Sequence, residues 1–175
     1  MDPVLIWSGS IVFFLLFLSA GVHKITAPAY YRGLIGRYLP LPPVPAGVAG
    51  SVAGITEIST GILILLPVSR PVAAWCALAL LLAYFLLIMT GLLRGLDMDC
   101  GCSGPLGRQK LSVWLLFRNL VLAAGVWLLT MPSTSRLTGV ADIMIVVCSS
   151  AALIMIYISF EHLLANQEKL ASLRS

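Results

Sequence analysis

Five long apolar segments alternate along the chain with short stretches rich in charge, proline or glycine. Each segment has about 20 residues, the length that an α-helix needs to cross the hydrocarbon core of a bilayer. Backbone groups in lipid must be satisfied within a helix, and transmembrane β-strands would be shorter and would alternate in polarity. The pattern therefore predicts an all-α, polytopic membrane helix bundle. It forms one integral membrane domain over residues 1–175, with spans at about 5–22, 44–66, 72–93, 111–131 and 139–160.

The composition agrees with a membrane location. Of the 175 residues, 59% are hydrophobic and 10% are charged, and the mean hydropathy is +1.01. A soluble domain carries about 25% charged residues. The net charge of +4 comes from basic residues at the ends of the apolar segments. Because a nucleic-acid-binding protein clusters its basic residues on a polar face, no nucleic-acid partner is expected.

The stretch between the first two spans, residues 23–43, mixes tyrosines with basic residues. This composition is typical of the membrane–water interface. Pro40, Pro42 and Pro43 are expected to interrupt any helix there.

The basic residues are divided unequally between the two sides of the membrane. Five spans place Arg70 and Arg136 on one side. The other side has eight basic residues: Lys24, Arg32, Arg37, Arg94, Arg108, Lys110, Lys169 and Arg174. The positive-inside rule assigns the eight-charge side to the cytoplasm. This orientation predicts that the N-terminus lies outside and that the loop of residues 94–110 lies inside.

That loop contains the motif Cys100-Gly101-Cys102. Two thiols separated by one glycine can close a small disulfide ring, and strain in such a ring makes the bond easier to reduce. An exposed, strained pair is a candidate centre for thiol–disulfide exchange. Two free thiols in a loop, or a two-thiolate site for a soft ion such as Cu(I), remain alternatives, although two ligands are too few for a structural zinc site.

Glu57 lies near the middle of the second span, three residues after Gly54 and four before Gly61. This spacing puts the acid on the same helix face as the two glycines, a face suited to close helix packing. We expect Arg118 of the fourth span to be within its reach. Such a pair would either tie two helices together or handle protons or a ligand.

Two more cysteines, Cys76 and Cys148, fall at similar depths in the third and fifth spans. They could pair with each other. A buried cysteine more often acts as a small apolar residue.

The sequence Asp99-Cys100-Gly101-Cys102-Ser103-Gly104 resembles the DCGCFG signature of the methylamine-utilisation MauE proteins, within the wider MauE/DoxX membrane superfamily. One departure is Ser103, where the family usually has an aromatic residue. The likeness covers about residues 5–130 and includes further family-like positions: Gly21, Lys24, Tyr38-Leu39-Pro40, Glu57, Gly61, Arg118 and Asn119.

This resemblance implies a four-helix core, to which the fifth transmembrane helix is added, and a redox-associated role. Cys100 and Cys102 would be the redox pair, as in a thiol–disulfide oxidoreductase. Lys24, Glu57, Arg118 and Asn119 would form the polar centre of the bundle. Members of the family are thought to support disulfide formation or maturation of exported proteins, beside thioredoxin-like partners.

Three functions follow as hypotheses. The first is a multi-pass protein of a bacterial inner or plasma membrane that exchanges electrons with a thioredoxin-like partner through Cys100 and Cys102, with a quinone as one conceivable electron acceptor. The second is a membrane carrier for a soft metal or small molecule, with Glu57 on its pathway. The third is an assembly factor without turnover. Exported partners would require the cysteine loop outside, in conflict with the charge bias. The partner and the oligomeric state are left open.

Overall fold

The structure is a computed structural model that describes residues 1–38, 42–95, 113–132 and 139–174. Within these ranges the chain forms helices and no strands. In chain order the helices are α1 (Pro3–Thr26), α2 (Pro28–Tyr38), α3 (Pro43–Leu65), α4 (Arg70–Leu93), α5 (Val113–Leu128) and α6 (Val140–Arg174). The prediction of an all-α polytopic bundle is confirmed.

Four of these helices are long and apolar enough to cross a membrane: α1, α3, α4 and the part of α6 from Val140 to Leu163. The predicted span at 111–131 corresponds to α5, whose described helix has 16 residues. A helix of that length is slightly shorter than the roughly 20 residues of a typical span. The fifth predicted span ends at residue 160, and α6 continues beyond it as a helix to Arg174.

Prolines begin helices in this chain. Pro3 and Pro43 are the first residues of α1 and α3, and Pro71 is the second residue of α4. A proline is tolerated in the first turn because its missing N–H would have no partner there. At the start of α1, the Asp2 carboxylate also accepts a hydrogen bond of 2.9 Å from the Val4 amide. The interfacial stretch after α1 contains α2, which ends before the predicted proline interruption.

The tightest packing lies between α1 and α3. A Cβ atom placed on Gly21 would lie 2.6 Å from the Gly54 carbonyl oxygen, and one placed on Gly54 would lie 2.9 Å from the Gly21 carbonyl oxygen. Further along, a Cβ on Gly61 would lie 3.3 Å from the Phe14 carbonyl oxygen. The predicted close packing through Gly54 and Gly61 is confirmed, with α1 as the partner.

Helix α6 is the least buried of the spanning helices. Only 6% of its apolar window is buried, compared with 28–33% for α1, α3 and α4. It packs on α1 through serines: Ser149 Oγ lies 2.7 Å from Ser8 Oγ, and Ser150 Oγ donates to the Ser8 carbonyl at 3.4 Å. α6 is therefore a peripheral helix beside a more compact bundle.

We call the end of the bundle at which α4 ends and α5 begins the loop end. Since successive spans alternate in direction, α1 and α6 also end there and α3 begins there. α2 follows α1 at this end and packs against α3, and the Arg94 guanidinium donates to the Tyr38 carbonyl at 3.1 Å. The end of α2 is thus fixed beside the end of α4.

Candidate functional site

A buried cluster of polar side chains joins α1, α3 and α4. The Lys24 ammonium donates to both carboxylate oxygens of Glu57, at 2.7 and 2.8 Å. The Tyr84 hydroxyl donates a short hydrogen bond to Glu57 Oε1. Lys24 and Glu57 are only 5% and 1% exposed. A buried charge is tolerated when an opposite charge and hydrogen bonds compensate it, and all of these are present here.

Aromatic rings surround the lysine. Its Nζ atom lies 5.4 Å from the centre of the Tyr31 ring and 5.0 Å from that of Tyr84, within the range of cation–π attraction. The Tyr31 hydroxyl lies 2.9 Å from His23 Nδ1, so α2 is also joined to this cluster. Lys24 is in the last turn of α1, and its side chain is buried against Glu57.

The glycine contact explains how these groups meet. Lys24 lies one turn after Gly21 on α1, and Glu57 lies one turn after Gly54 on α3. Side chains three residues apart on a helix share a face. Because Gly21 and Gly54 bring the two backbones together, the following turn places the two charged side chains in direct contact. Lys24 Cβ itself lies 3.1 Å from a Cβ built on Gly54.

A second buried ion pair joins α5 to α6. Arg118 Nη1 donates to Glu161 Oε1 at 3.1 Å, and Glu161 is 1% exposed. Beside it, the rings of Trp114 and Phe160 pack with their centres 4.9 Å apart. The expected pairing of Arg118 with Glu57 is therefore wrong. Among the described residues, the guanidinium forms its ion pair with Glu161, a carboxylate on α6.

A small cavity is lined by one member of each ion pair. Its volume is about 50 Å³, and it is lined by residues of α1, α3, α4, α5 and α6, including Glu57, Tyr84, Arg118, Asn119 and Tyr157. Since a water molecule needs at least about 10–15 Å³ of such volume, the cavity has room for a few waters. Asn119 donates from Nδ2 to the Leu115 carbonyl at 3.0 Å, and its amide has further donor and acceptor capacity.

The four residues assigned to a polar bundle centre thus lie in two groups, and three of them, Glu57, Arg118 and Asn119, line one cavity. Lys24 pairs with Glu57, while Arg118 pairs with Glu161 and Asn119 contributes an amide to the wall. Sequence reasoning missed two members, Tyr84 and Glu161. Tyr84 stands among apolar residues of α4 with no local signal, and Glu161 follows the predicted end of the last span, which suggested exposure to water.

The predicted redox pair, Cys100 and Cys102, lies outside the described residues. It falls between the end of α4 and the start of α5, and both of these helix ends lie at the loop end. The Lys24–Glu57 pair lies at mid-depth in the bundle, since Glu57 and Tyr84 are the fifteenth residues of α3 and α4. Arg118 is the sixth residue of α5.

The other two cysteines do not pair. Cys76 and Cys148 are free thiols, and both are exposed on the outer surface of the bundle. In the parts of the chain that the structure describes, no group of three or more histidine, cysteine or acidic residues is placed to bind a metal ion.

Comparisons with known proteins give the following matches. Residues 2–132 match the family model described as "Methylamine utilisation protein MauE". A relative from Paracoccus denitrificans, named Methylamine utilization protein MauE, is 32% identical over 126 residues, which cover 71% of this chain and 67% of the relative. A relative of the same name from Paracoccus versutus is 26% identical over 160 residues, which cover 90% of this chain and 86% of the relative. No solved structure matches the chain significantly.

Proposed function

Since the chain belongs to the MauE family of methylamine utilisation proteins, we propose that it is a membrane thiol–disulfide exchange protein of a methylamine utilisation system. It would exchange electrons with a thioredoxin-like partner through Cys100 and Cys102. This activity would support disulfide formation or maturation of an exported protein.

The observation that carries this proposal is the Cys100-Gly101-Cys102 motif in the segment that joins α4 to α5. Both helices belong to a bundle that is held together by buried ion pairs and, at the loop end, by the contact from Arg94 to Tyr38. A thiol pair supported on a rigid scaffold meets a partner in a defined place, which favours exchange with one protein over random oxidation.

The exchange has two steps, and electrons balance within the two proteins. One thiolate of the pair attacks the partner's disulfide, which forms a mixed disulfide and releases one partner thiolate. The second thiolate then attacks the mixed disulfide, which releases the partner as a dithiol and leaves Cys100 joined to Cys102. Two electrons have then passed to the partner. The same steps in reverse oxidise the partner, which is the direction that disulfide formation in an exported protein requires.

Charged residues of the loop would tune the thiols. Arg94, Arg108 and Lys110 favour the thiolate, whereas Asp97 and Asp99 oppose it. The thiolate is the attacking species, so the balance of these charges would set the rate of exchange.

Location follows from the same proposal. A bacterial inner or plasma membrane suits an apolar bundle of this kind, and partners among exported proteins require Cys100 and Cys102 on the extracytoplasmic face. The eight-to-two distribution of basic residues favours the opposite orientation. A quinone in the bilayer would serve as the acceptor if the pair is reoxidised within the membrane.

Trapping with single-cysteine variants tests the proposal. In a bacterium that needs this protein to grow on methylamine, the Cys102→Ser and Cys100→Ser variants are each expressed, and the proteins are separated without reductant. One of them is expected to accumulate a reductant-sensitive complex with a thioredoxin-like protein, since the mixed disulfide can no longer be resolved. Cys76→Ser is the matched control, because this thiol is free and exposed on α4, away from the loop.

Two results would contradict the proposal. If neither single variant forms a mixed disulfide, the proposed exchange with a partner protein does not take place. Full growth of the Cys100→Ser/Cys102→Ser double variant on methylamine would instead favour the assembly factor that acts without turnover.

A second candidate function is a carrier for a soft metal or small molecule, favoured by the polar cavity that Glu57, Arg118 and Asn119 line inside an apolar bundle. Ionisable groups within a membrane often mark a transport pathway. This function predicts stoichiometric binding of Cu(I) by purified protein that is lost when both loop cysteines are replaced. Exchange chemistry predicts instead a trapped mixed disulfide when only one of the two loop cysteines is replaced.

A further inference from the structure

A groove of about 440 Å³ runs between α4 and α5 on the outer surface of the bundle. The exposed side chains of Trp75, Leu82 and Leu120 form its rim, and the buried Leu81 and Asn119 form its floor. Sites for small organic ligands have volumes of about 300–1,000 Å³ and a mainly apolar, partly aromatic lining with a few polar groups. The groove has both properties, and because its rim is exposed between two apolar helices, a ligand would enter it from the bilayer.

Asn119 brings an amide into this apolar lining. The residue is 3% exposed, and its Nδ2 atom donates to the Leu115 carbonyl at 3.0 Å. Among the residues that the structure describes, this is the one hydrogen bond of the Asn119 side chain. An amide has two donors and an acceptor oxygen, and buried polar groups in proteins are almost always hydrogen-bonded. The Oδ1 atom and the second N–H group are therefore available to a ligand in the groove.

The chemistry of the ligand follows from the amide and from its depth. One donor and one acceptor complement a neutral oxygen, either a carbonyl or a hydroxyl. The floor of the groove is at mid-depth, since Leu81 is the twelfth of the 24 residues of α4, and an ionised headgroup would be costly there. An acyl chain would fit the apolar walls but would leave the amide without a partner. A flat ring that carries oxygens and an apolar tail satisfies both the walls and the amide.

From this arrangement we propose that the groove binds the ring of a lipid-soluble quinone and that Asn119 recognises a ring oxygen. The amide donates to the carbonyl of the quinone and accepts from the hydroxyl of the quinol, so one side chain serves both redox states. The inference rests on the proposed function for the source of electrons. When Cys100 and Cys102 close their disulfide, the two thiols release two electrons and two protons, which convert the quinone to the quinol.

The experiment measures quenching of tryptophan fluorescence by decylubiquinone in the full-length protein in bicelles. Saturable quenching is expected for the wild type and is expected to be lost in Trp75→Phe, because Trp75 is on the rim. Asn119→Leu is expected to weaken the apparent affinity about five- to tenfold, the effect of losing about one neutral hydrogen bond. Decylbenzene, which has the same tail and no ring oxygens, is expected to displace the quinone poorly.

Two results with these probes would overturn the proposal. Unchanged affinity in Asn119→Leu would show that the amide is satisfied elsewhere, for example by water in the polar cavity that it also lines. Equal displacement by decylbenzene would show that the groove accepts any apolar chain. Saturable quenching that persists in Trp75→Phe would place the quinone at another site and would overturn the proposal as well.

A matched pair of alanines on α4 tests the groove itself. Ala79 lines the groove, whereas Ala83 is exposed one turn later and is outside it. Leucine at position 79 would fill part of the groove, so Ala79→Leu is expected to weaken binding about tenfold or more. Ala83→Leu is expected to leave the affinity unchanged, and equal effects of the two changes would overturn the proposal.

The same titration on Cys100→Ser/Cys102→Ser separates this inference from the proposed function. Binding is expected to be unchanged in this variant, because the groove does not include the loop cysteines. Saturable binding without any mixed disulfide in the single-cysteine variants would contradict the proposed function alone. A mixed disulfide without saturable binding would contradict the quinone site alone.

Discussion

Replacement of Gly21 by alanine tests the close approach of α1 and α3 on which the polar cluster depends. The added Cβ would lie 2.6 Å from the Gly54 carbonyl oxygen and 2.7 Å from Ile58 Cγ1. An ordinary contact begins at 3.4 Å, so the backbones must separate by about 0.8 Å at this point. The Ile58 side chain can rotate away, but the carbonyl belongs to the helix backbone and cannot.

The matched control is Gly47→Ala on α3, where a Cβ would meet nothing within 4 Å. Both changes replace glycine by alanine inside an apolar helix, so the effect of helix propensity is common to them. Overpacking of a well-packed contact costs typically 1–3 kcal/mol. We therefore expect Gly21→Ala to lower the free energy of unfolding by about 2–3 kcal/mol relative to Gly47→Ala.

The measurement is an unfolding titration in bicelles, followed by circular dichroism for each variant and for the wild type. Equal free energies of unfolding for Gly21→Ala and Gly47→Ala would refute the reasoning, because α1 and α3 would then not be in contact at this point. An equal decrease in the free energy of unfolding in both variants would refute it as well, since a Cβ at Gly47 has no neighbour to displace.

Other variants probe the same bundle. Tyr84→Phe removes the hydroxyl donor to Glu57 and is expected to lower the free energy of unfolding by about 1–2 kcal/mol in the same titration; a neutral effect would show that the hydroxyl is not held there. Lys24→Arg keeps the positive charge and is expected to lower the free energy of unfolding less than Lys24→Met does. Equal decreases would show that the ion pair with Glu57 does not account for the stability lost in Lys24→Met. A lipid-soluble maleimide is expected to label both Cys76 and Cys148 in folded protein, and protection of either thiol would place it inside the bundle instead.

The features that the sequence predicted are those with a regular spacing. Apolar runs of span length predicted the helices. The spacing of Gly54, Glu57 and Gly61 predicted the packed face of α3, because residues three to four positions apart lie on the same face of a helix. Neither prediction needed knowledge of which helices are neighbours.

The partners of the charged residues depend on packing between distant segments and were not predictable in this way. Lys24 and Glu57 are 33 residues apart and Arg118 and Glu161 are 43 apart. Hydropathy ends the last span near residue 160, yet Glu161, the next residue, contacts Arg118 of α5 and is 1% exposed. A terminal position in a span thus does not determine whether a charge meets water or another helix.

The length of α6 has a consequence for how a soluble protein can approach the membrane. Beyond its apolar part, which ends at Leu163, the helix continues to Arg174 on the side where α4 and α5 are joined. Eleven further residues at 1.5 Å each extend it by about 16 Å, roughly half the diameter of a small domain. A soluble domain that docks at this end would therefore meet the helix on one flank, and this would narrow the range of orientations in which the domain can dock.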